Sequence, residues 1–171
     1  SVIVTPADAY VPDIKAFADS MNKALDFASH NKAIVCTGIM PDSAHTGYGY
    51  IKAGPQADED ISKVDSFTEK PDEEKAREYI AKGGYYWNAG IFVCRASVFE
   101  EELLRFTPQI SGIMDRIEPY LYSESEEDAL CEFFPQCEKI SIDYAVMEKS
   151  EYVYMVPGPW EWSDLGSFEA I

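Results

Sequence analysis

Short apolar runs alternate with amphipathic helical patterns along the first part of the chain. The runs from Ser1 to Thr5 and from Ala33 to Ile39 are rich in β-branched residues and predict two buried strands. Between them a helix is predicted from about Asp13 to His30, because apolar residues recur there at steps of three and four: Ile14, Phe17, Met21, Leu25 and Ala28. A strand, a helix and a strand in this order form a βαβ unit, whose two strands run parallel.

The pattern changes after Pro41. Glycine and aromatic residues alternate from Thr46 to Ile51, and a second strand-like run extends from Ser62 to Glu69. We predict an antiparallel pair of strands here, beside the parallel sheet. Lys70 and Pro71 end it, because proline cannot continue a hydrogen-bonded ladder.

A helix and a buried strand follow. Asp72 is a suitable N-cap for a helix that runs to Lys82 and stops at two glycines. The run from Gly90 to Cys94 is almost wholly apolar and predicts a strand buried on both faces, with Trp87 and Asn88 at its mouth.

The rest of the chain is mainly helical by pattern. A helix is predicted from the Ser97–Glu100 capping box through Phe106, followed by helical pieces over residues 108–134. A short helix is then predicted from Ser141 to Lys149 and a strand from Tyr152 to Val156. Residues 160–166 precede a last predicted helix. This alternation predicts a three-layer α/β/α domain over residues 1–171, with a mixed, mostly parallel sheet.

Composition narrows the class of protein. Of the 171 residues, 46% are hydrophobic, which is ordinary for a globular chain, and no apolar run approaches the ~20 residues that a membrane span needs. The net charge of −17 argues against nucleic acid or an anionic membrane as a partner. Cys36 and Cys94 lie in apolar runs and no Cys-x-x-Cys pair occurs, so we expect reduced cysteines and a cytoplasmic location.

Two aspartates follow predicted strands. Ligands of open α/β sheets bind beyond the carboxyl ends of the strands, and Asp8 and Asp164 both lie there. Their carboxylates suit Mg²⁺, which usually takes one or two carboxylates together with substrate phosphates. Helix capping is the alternative for each aspartate, and it is the more common role for each one taken separately.

Five further residues have the chemistry of a sugar-phosphate site. Glu69 can accept two hydroxyl hydrogen bonds and Lys70 offers a point charge to a phosphate, with an exposed ion pair as the alternative. Asn88 either binds a ligand or caps its own backbone in a turn. Gly47 and Gly49 allow close approach of a ligand, although a β-bulge explains them equally well.

Other polar and aromatic residues are assigned little. Neither His30 nor His45 has ligand-like neighbours in the sequence, so neither receives a role. Tyr85, Tyr86 and Trp87 are expected to pack in the core and at its rim, with one ring lining a sugar pocket.

Six segments, taken together and in order, resemble the nucleotidyltransferase domain of sugar-phosphate nucleotidylyltransferases. They are Pro6 to Asp8, Thr46 to Ile51, Phe67 to Pro71, Trp87 to Phe92, Ser141 to Lys149 and Trp162 to Phe168. No single segment is decisive, but the set is specific, and the segment from Ser141 favours the mannose-1-phosphate guanylyltransferase branch.

The resemblance implies a Rossmann-like nucleotide-diphospho-sugar transferase fold and a reaction. Mannose 1-phosphate would attack the α-phosphorus of GTP, giving GDP-mannose and pyrophosphate. The implied catalytic residues are Asp8 and Asp164, which would hold the Mg²⁺ cofactor, and Lys70, which would contact the mannose phosphate. Glu69 and Asn88, with the backbone of Gly49, would bind the sugar hydroxyls.

Further implications concern the surroundings of the pocket and the ends of the chain. Asp143 would support the pocket from the start of a helix. The family pattern around the first aspartate is Pro-Ser-Asp-His, whereas Ala7 and Ala9 flank Asp8 here. The glycine-rich loop Gly-x-Gly-Thr-Arg-Leu, a downstream Pro-Lys and a C-terminal extension have no counterpart in the chain. We therefore expect a part of a longer enzyme that is inactive alone, with an exposed sheet edge that favours homo-oligomers.

Three alternatives stay open. The first is another sugar-1-phosphate nucleotidylyltransferase, acting on glucose 1-phosphate with a thymidylyl or uridylyl group, against which the segment from Ser141 to Lys149 argues. The second is a non-catalytic paralogue that binds nucleotide sugar and regulates a partner, although it would not need both Asp8 and Asp164. The third, a structural α/β domain, leaves the six ordered segments unexplained.

Overall fold

The computed structural model describes residues 1–165, and the helix predicted to follow residues 160–166 lies largely outside them. The strands are β1 Val2–Val4, β2 Ile34–Ile39, β3 Tyr50–Asp58, β4 Ile61–Thr68, β5 Tyr85–Cys94 and β6 Val153–Gly158. The helices are α1 Ile14–His30, α2 Glu73–Lys82, α3 Ala96–Phe106, α4 Pro108–Ile117 and α5 Glu126–Phe133, with a π-helical turn at Asp143–Met147. The chain divides into two compact units, residues 1–98 with the segment from 151, and residues 99–150, where the sequence predicts one domain.

The six strands form one mixed sheet in the order β1-β5-β2-β6-β4-β3, with a further pairing between β3 and β5. β1 and β2 both pair antiparallel to β5, on its two sides, so they run in the same direction as the βαβ prediction requires. β3 and β4 form the predicted antiparallel pair. The sheet is mixed as predicted, but among the described residues only β2 and β6 pair in parallel, so the "mostly parallel" prediction is wrong.

Helix α1 forms where its apolar periodicity predicts it, and α2 forms where its Asp72 cap predicts it. The Asp13 side chain accepts the Ala16 N–H at 2.9 Å, and α1 buries Met21 and Ala24 against the sheet. The Asp72 side chain caps α2 in the same way by accepting the Lys75 N–H at 2.8 Å. Gly83 ends α2 with a φ of +69°, a conformation that favours glycine.

One hydrophobic core joins these two helices to the sheet. Ala24 of α1 and Ala76 of α2 are fully buried in a cluster that includes Val35 and Tyr50. Burial of such apolar surface is the main favourable term in folding. Cys94 is also buried, and burial raises the pKa of its thiol.

Two local predictions, the burial of β1 and the start of β5, are wrong. β1 is a strand but not a buried one: Val2 and Val4 are 42% and 54% exposed, because β1 pairs only with β5 among the described strands. β5 begins at Tyr85, so Trp87 and Asn88 lie inside the strand rather than at its mouth. Gly90 has a φ of +70° where the register with β2 shifts, so a β-bulge divides β5.

The second unit is helical in pieces, as predicted. α3 begins at Ala96, one residue before the Ser97 of the predicted capping box, so Ser97 lies in the first turn and is not the cap. The segment from Ser141 forms only a π-helical turn, with Asp143 as its first residue. The role of Asp143 beside a pocket stays a prediction. Among residues 1–165, no helix has the length and apolar character needed to cross a membrane.

Candidate active site

Strand register places Gly49 between Glu69 and Asn88. Tyr50 pairs with Thr68 of β4 on one side and with Trp87 of β5 on the other. In an antiparallel pair the residue before one partner faces the residue after the other. Gly49, which precedes β3, therefore lies opposite both Glu69 and Asn88.

Contacts confirm this arrangement. The Asn88 N–H donates to the Gly49 carbonyl at 2.8 Å. A Cβ placed on Gly49 would lie 2.6 Å from Glu69 Oε2 and 3.4 Å from the Asn88 Cβ. Only a residue without a side chain leaves this carboxylate where it is. We refer to these three residues as the Gly49–Glu69–Asn88 cluster.

Glu69 and Lys70 differ sharply in exposure. Lys70 Nζ lies 3.7 Å from Glu69 Oε1, but the Glu69 side chain is 9% exposed and that of Lys70 is 60% exposed. The ion pair is thus present, yet it is not the solvent-exposed pair that the sequence offered as an alternative. Lys70 has a φ of +44°, a conformation that is strained for a residue other than glycine, and residues in such conformations are concentrated at functional sites.

Asn88 also makes the contact expected of a turn residue. Its Oδ1 accepts the N–H of Gly90 at 3.2 Å, across the bulge. The backbone-capping alternative is therefore observed. The same residue also contacts Gly49, so Asn88 both caps the backbone of Gly90 and belongs to the cluster.

Asp164 is joined to the site by a residue that sequence reasoning missed. Tyr48 Oη donates to Asp164 Oδ1 at 3.0 Å. Burial, together with the hydrogen bond and the negative charge of Asp164, raises the pKa of Tyr48 to about 12. The phenol therefore stays protonated at neutral pH and keeps donating to the carboxylate.

The Tyr48 ring belongs to an aromatic cluster made of His45, Tyr48, Trp87 and Trp162. His45 stacks on Tyr48 with ring centroids 4.0 Å apart, and Trp87 and Trp162 each meet the ring edge to face at 5.1 Å. His45 Nδ1 also accepts the Gly47 N–H at 3.1 Å, so His45 has a structural role that the sequence did not assign. One feature of the sequence could have indicated this aromatic cluster: Tyr48, Trp87 and Trp162 each lie within two residues of a candidate site residue.

Asp8 lies in the exposed loop after β1, and this loop meets the segment that carries Asp164. The Tyr10 N–H donates to the Ser163 carbonyl at 2.8 Å, and the Ser163 N–H donates back to the Tyr10 carbonyl at 3.2 Å. Asp8 does not cap α1, because Asp13 does. The structure thus brings together the chain segments of the two candidate metal ligands.

Comparison with known proteins identifies the family. The family model described as nucleotidyl transferase matches residues 1–171, the whole chain. The chain belongs to the nucleotidyl transferase family.

Individual relatives agree with this family. The chain is 38% identical over 178 residues to mannose-1-phosphate guanylyltransferase 2 of Escherichia coli O157:H7, covering 99% of the chain and 37% of that relative. A solved structure named mannose-1-phosphate geranyltransferase, from Thermus thermophilus, is 35% identical in sequence and has a TM-score of 0.85. The match covers 98% of this chain and 47% of the solved chain. A second solved structure, named mannose-6-phosphate isomerase and from Helicobacter pylori, is 32% identical in sequence and has a TM-score of 0.78. The match covers 94% of this chain and 62% of the solved chain. The chain therefore spans little more than a third of the curated relative.

The chemistry of Asp8 and Asp164 fits a magnesium ion. Residues 1–165 contain no group of three or more His, Cys, Asp or Glu side chains that could hold a metal by themselves. Mg²⁺ does not need such a group, because it commonly takes one or two carboxylates and completes its shell with water and phosphate oxygens. Asp8 and Asp164 supply two hard oxygen donors on adjoining segments, so the donor set is suitable.

A cavity of about 310 Å³ lies beside the Asp8 loop but has the wrong lining for a sugar phosphate. Its walls are Thr5, Pro6, Ala9, Val11, Ile14, Phe17 and Ile91. A sugar phosphate needs several polar partners, and Thr5 is the one polar side chain in this set. The Gly49–Glu69–Asn88 cluster is therefore the better candidate for sugar binding.

Proposed function

We propose that the protein transfers GMP from GTP to mannose 1-phosphate and releases GDP-mannose and pyrophosphate. The observation that carries this proposal is that Tyr48, the chain neighbour of Gly49 in the Gly49–Glu69–Asn88 cluster, donates its hydroxyl to Asp164. A sugar-phosphate nucleotidyl transfer requires a sugar-binding group and a metal-binding group near each other, and the Tyr48–Asp164 bond links two such candidates. Mannose phosphate appears in the names of the relatives from Escherichia coli, Thermus thermophilus and Helicobacter pylori, which supports the choice of sugar.

The cluster supplies the sugar contacts in this proposal. The Glu69 carboxylate is largely buried and can accept hydrogen bonds from two sugar hydroxyls, which are stronger for a charged acceptor. Asn88 offers amide groups beside it, and Gly49 lets the sugar approach the backbone because no Cβ intervenes.

Lys70 supplies the phosphate contact. Its ammonium is exposed, lies beside Glu69, and is placed by a left-handed backbone at the end of the β4 strand. A lysine acts on a phosphate as a mobile point charge. It would hold the 1-phosphate of the sugar while Glu69 holds the hydroxyls.

Asp8 and Asp164 would hold Mg²⁺. A bound Mg²⁺ neutralises charge on the phosphates of GTP and orients them. The chain's own contribution is positioning, since the loop of Asp8 is fixed to the segment of Asp164 by the Tyr10–Ser163 backbone bonds. We further propose a cytoplasmic location.

The test is product formation by the natural full-length protein that contains this chain. The protein is incubated with GTP and mannose 1-phosphate, with and without Mg²⁺, and nucleotide sugars are separated by chromatography. We expect Mg²⁺-dependent GDP-mannose, with glucose 1-phosphate and UTP as much poorer substrates. Efficient UDP-glucose formation, or no nucleotide sugar with any of these substrates, would overturn the proposal.

A further inference from the structure

Tyr48 connects the two halves of the proposed site. Tyr48 directly precedes Gly49, a member of the Gly49–Glu69–Asn88 cluster. The hydroxyl of Tyr48 donates to Asp164, which is 116 residues away in sequence. We propose that Tyr48 is a positioning residue that holds the Asp164 carboxylate in place relative to the Gly49–Glu69–Asn88 cluster and thereby sets the affinity for the divalent cation. This inference rests on the proposed function.

The Tyr48 ring is itself held in place, which a positioning residue requires. His45 stacks on it at 4.0 Å, and the rings of Trp87 and Trp162 pack against it at 5.1 Å each. A ring packed on several sides has little freedom to change rotamer, so its hydroxyl has a defined position.

The aromatic cluster draws rings from three segments of the site. Trp87 precedes Asn88, Tyr48 precedes Gly49, and Trp162 lies two residues before Asp164. Edge-to-face contacts between these rings therefore fix the spacing of three chain segments that are distant in sequence. The Tyr48 hydroxyl adds a side-chain hydrogen bond from this cluster to a candidate metal ligand.

The physical effect of the hydrogen bond from Tyr48 is to orient the Asp164 carboxylate, a candidate metal ligand, before the cation binds. Hydrogen-bonded partners behind the ligands of metal sites commonly change metal affinity or activity by tenfold to a hundredfold when they are mutated. Removal of the hydroxyl alone, by Tyr48→Phe, keeps the packed ring and removes one of the hydrogen bonds that orient the carboxylate. We expect this substitution to weaken cation binding by about tenfold.

The experiment measures Mn²⁺ binding directly, without turnover, by electron paramagnetic resonance of the free ion. The full-length protein is titrated with Mn²⁺ in the presence of GDP-mannose, as wild type, Tyr48→Phe, Asp164→Ala and Tyr154→Phe. Tyr154 is a matched control, because it is a half-buried tyrosine of β6 whose ring packs against Phe27 at 5.0 Å and lies under the Lys63 ammonium at 4.5 Å. Circular dichroism checks that all four proteins are folded.

The outcomes separate the inference from the proposed function. The inference predicts loss of Mn²⁺ binding in Asp164→Ala, about tenfold weaker binding in Tyr48→Phe, and wild-type binding in Tyr154→Phe. If Asp164→Ala loses the ion while Tyr48→Phe binds it as tightly as wild type, the positioning role is refuted and the proposed function stands. If wild type and Asp164→Ala bind Mn²⁺ equally, or neither binds it, the metal role of Asp164 is refuted and the inference falls with it.

Discussion

Substitution of Gly49 by alanine tests the sugar-binding cluster with a single added carbon. The new Cβ would lie 2.6 Å from Glu69 Oε2, so the carboxylate has to retreat by about 0.8 Å to reach an ordinary contact distance. Gly49 is not among the residues with positive φ, so its backbone accepts alanine without strain. The cost therefore falls on the position of the carboxylate rather than on the fold.

The magnitude follows from the bonds that this displacement disturbs. A hydrogen bond to a charged group contributes about 1.5–3 kcal/mol, which corresponds to roughly tenfold to a hundredfold in affinity. We expect Gly49→Ala to weaken binding of mannose 1-phosphate by such a factor, measured by isothermal titration calorimetry on the full-length protein. The free energy of unfolding should change by less than about 1 kcal/mol, as for other glycine-to-alanine changes at a compatible backbone.

A double-mutant cycle with Glu69→Ala decides whether the carboxylate is the cause. If Gly49→Ala acts by displacing Glu69, it has no further effect once the carboxylate is gone. Gly112→Ala is the matched control, because a Cβ there meets no atom within 4 Å. Equal losses from Gly49→Ala in the presence and absence of Glu69, or no loss at all, would refute this reasoning.

Three further predictions concern the surroundings of the cluster. Lys70→Ala should raise KM for mannose 1-phosphate about tenfold and reduce its dependence on salt, because the proposed phosphate contact is a charge interaction. Gly90→Ala should lower the free energy of unfolding by about 1–2 kcal/mol in a thermal melt, because its φ of +70° disfavours a side chain and Pro6 Cγ lies 3.3 Å from the new Cβ. Tyr48→Phe should flatten the alkaline loss of stability in denaturant titrations. A pKa raised from 10.0 to about 12 gives stability that is complete below pH 10 and lost as the pH rises through about 12.

Each of these predictions has its own control. Lys15→Ala removes an 86% exposed lysine of α1 and should leave KM unchanged, so an equal effect there would contradict a specific role for Lys70. Gly112→Ala should not destabilise the protein, because alanine is favoured in a helix. The alkaline prediction fails if wild type and Tyr48→Phe lose stability in parallel between pH 10 and 12.

Local signals in the sequence were sufficient for the elements whose ends they mark. Asp72 predicts the start of α2, because a capping side chain acts on the next few residues, and the apolar periodicity from Ile14 predicts α1. Local signals did not predict that β1 is exposed. Val2 and Val4 are as apolar as a core strand, and their exposure depends on where β1 lies in the sheet. The antiparallel pairing of β5 with β2 is likewise set by topology and not by composition.

The candidate site divides along the same line. The resemblance to sugar-phosphate nucleotidylyltransferases was needed to propose Glu69, Asn88 and Gly49 as a group, and the strand register brings them together. The bond from Tyr48 to Asp164 was missed, because a tyrosine between two glycines gives no indication of its partner 116 residues away. The ion pair of Glu69 with Lys70 was foreseen, but the burial of one partner was not.

The most direct test of the central claim, that Asp8 and Asp164 form one metal site, is anomalous diffraction from crystals of the full-length protein grown with Mn²⁺ and GDP-mannose. We predict an anomalous peak at roughly 2.0–2.2 Å from carboxylate oxygens of both aspartates, the distance expected for a small divalent cation with oxygen ligands. A Mn²⁺ peak bound by other residues, or carboxylates of Asp8 and Asp164 too far apart to share one ion, would contradict it.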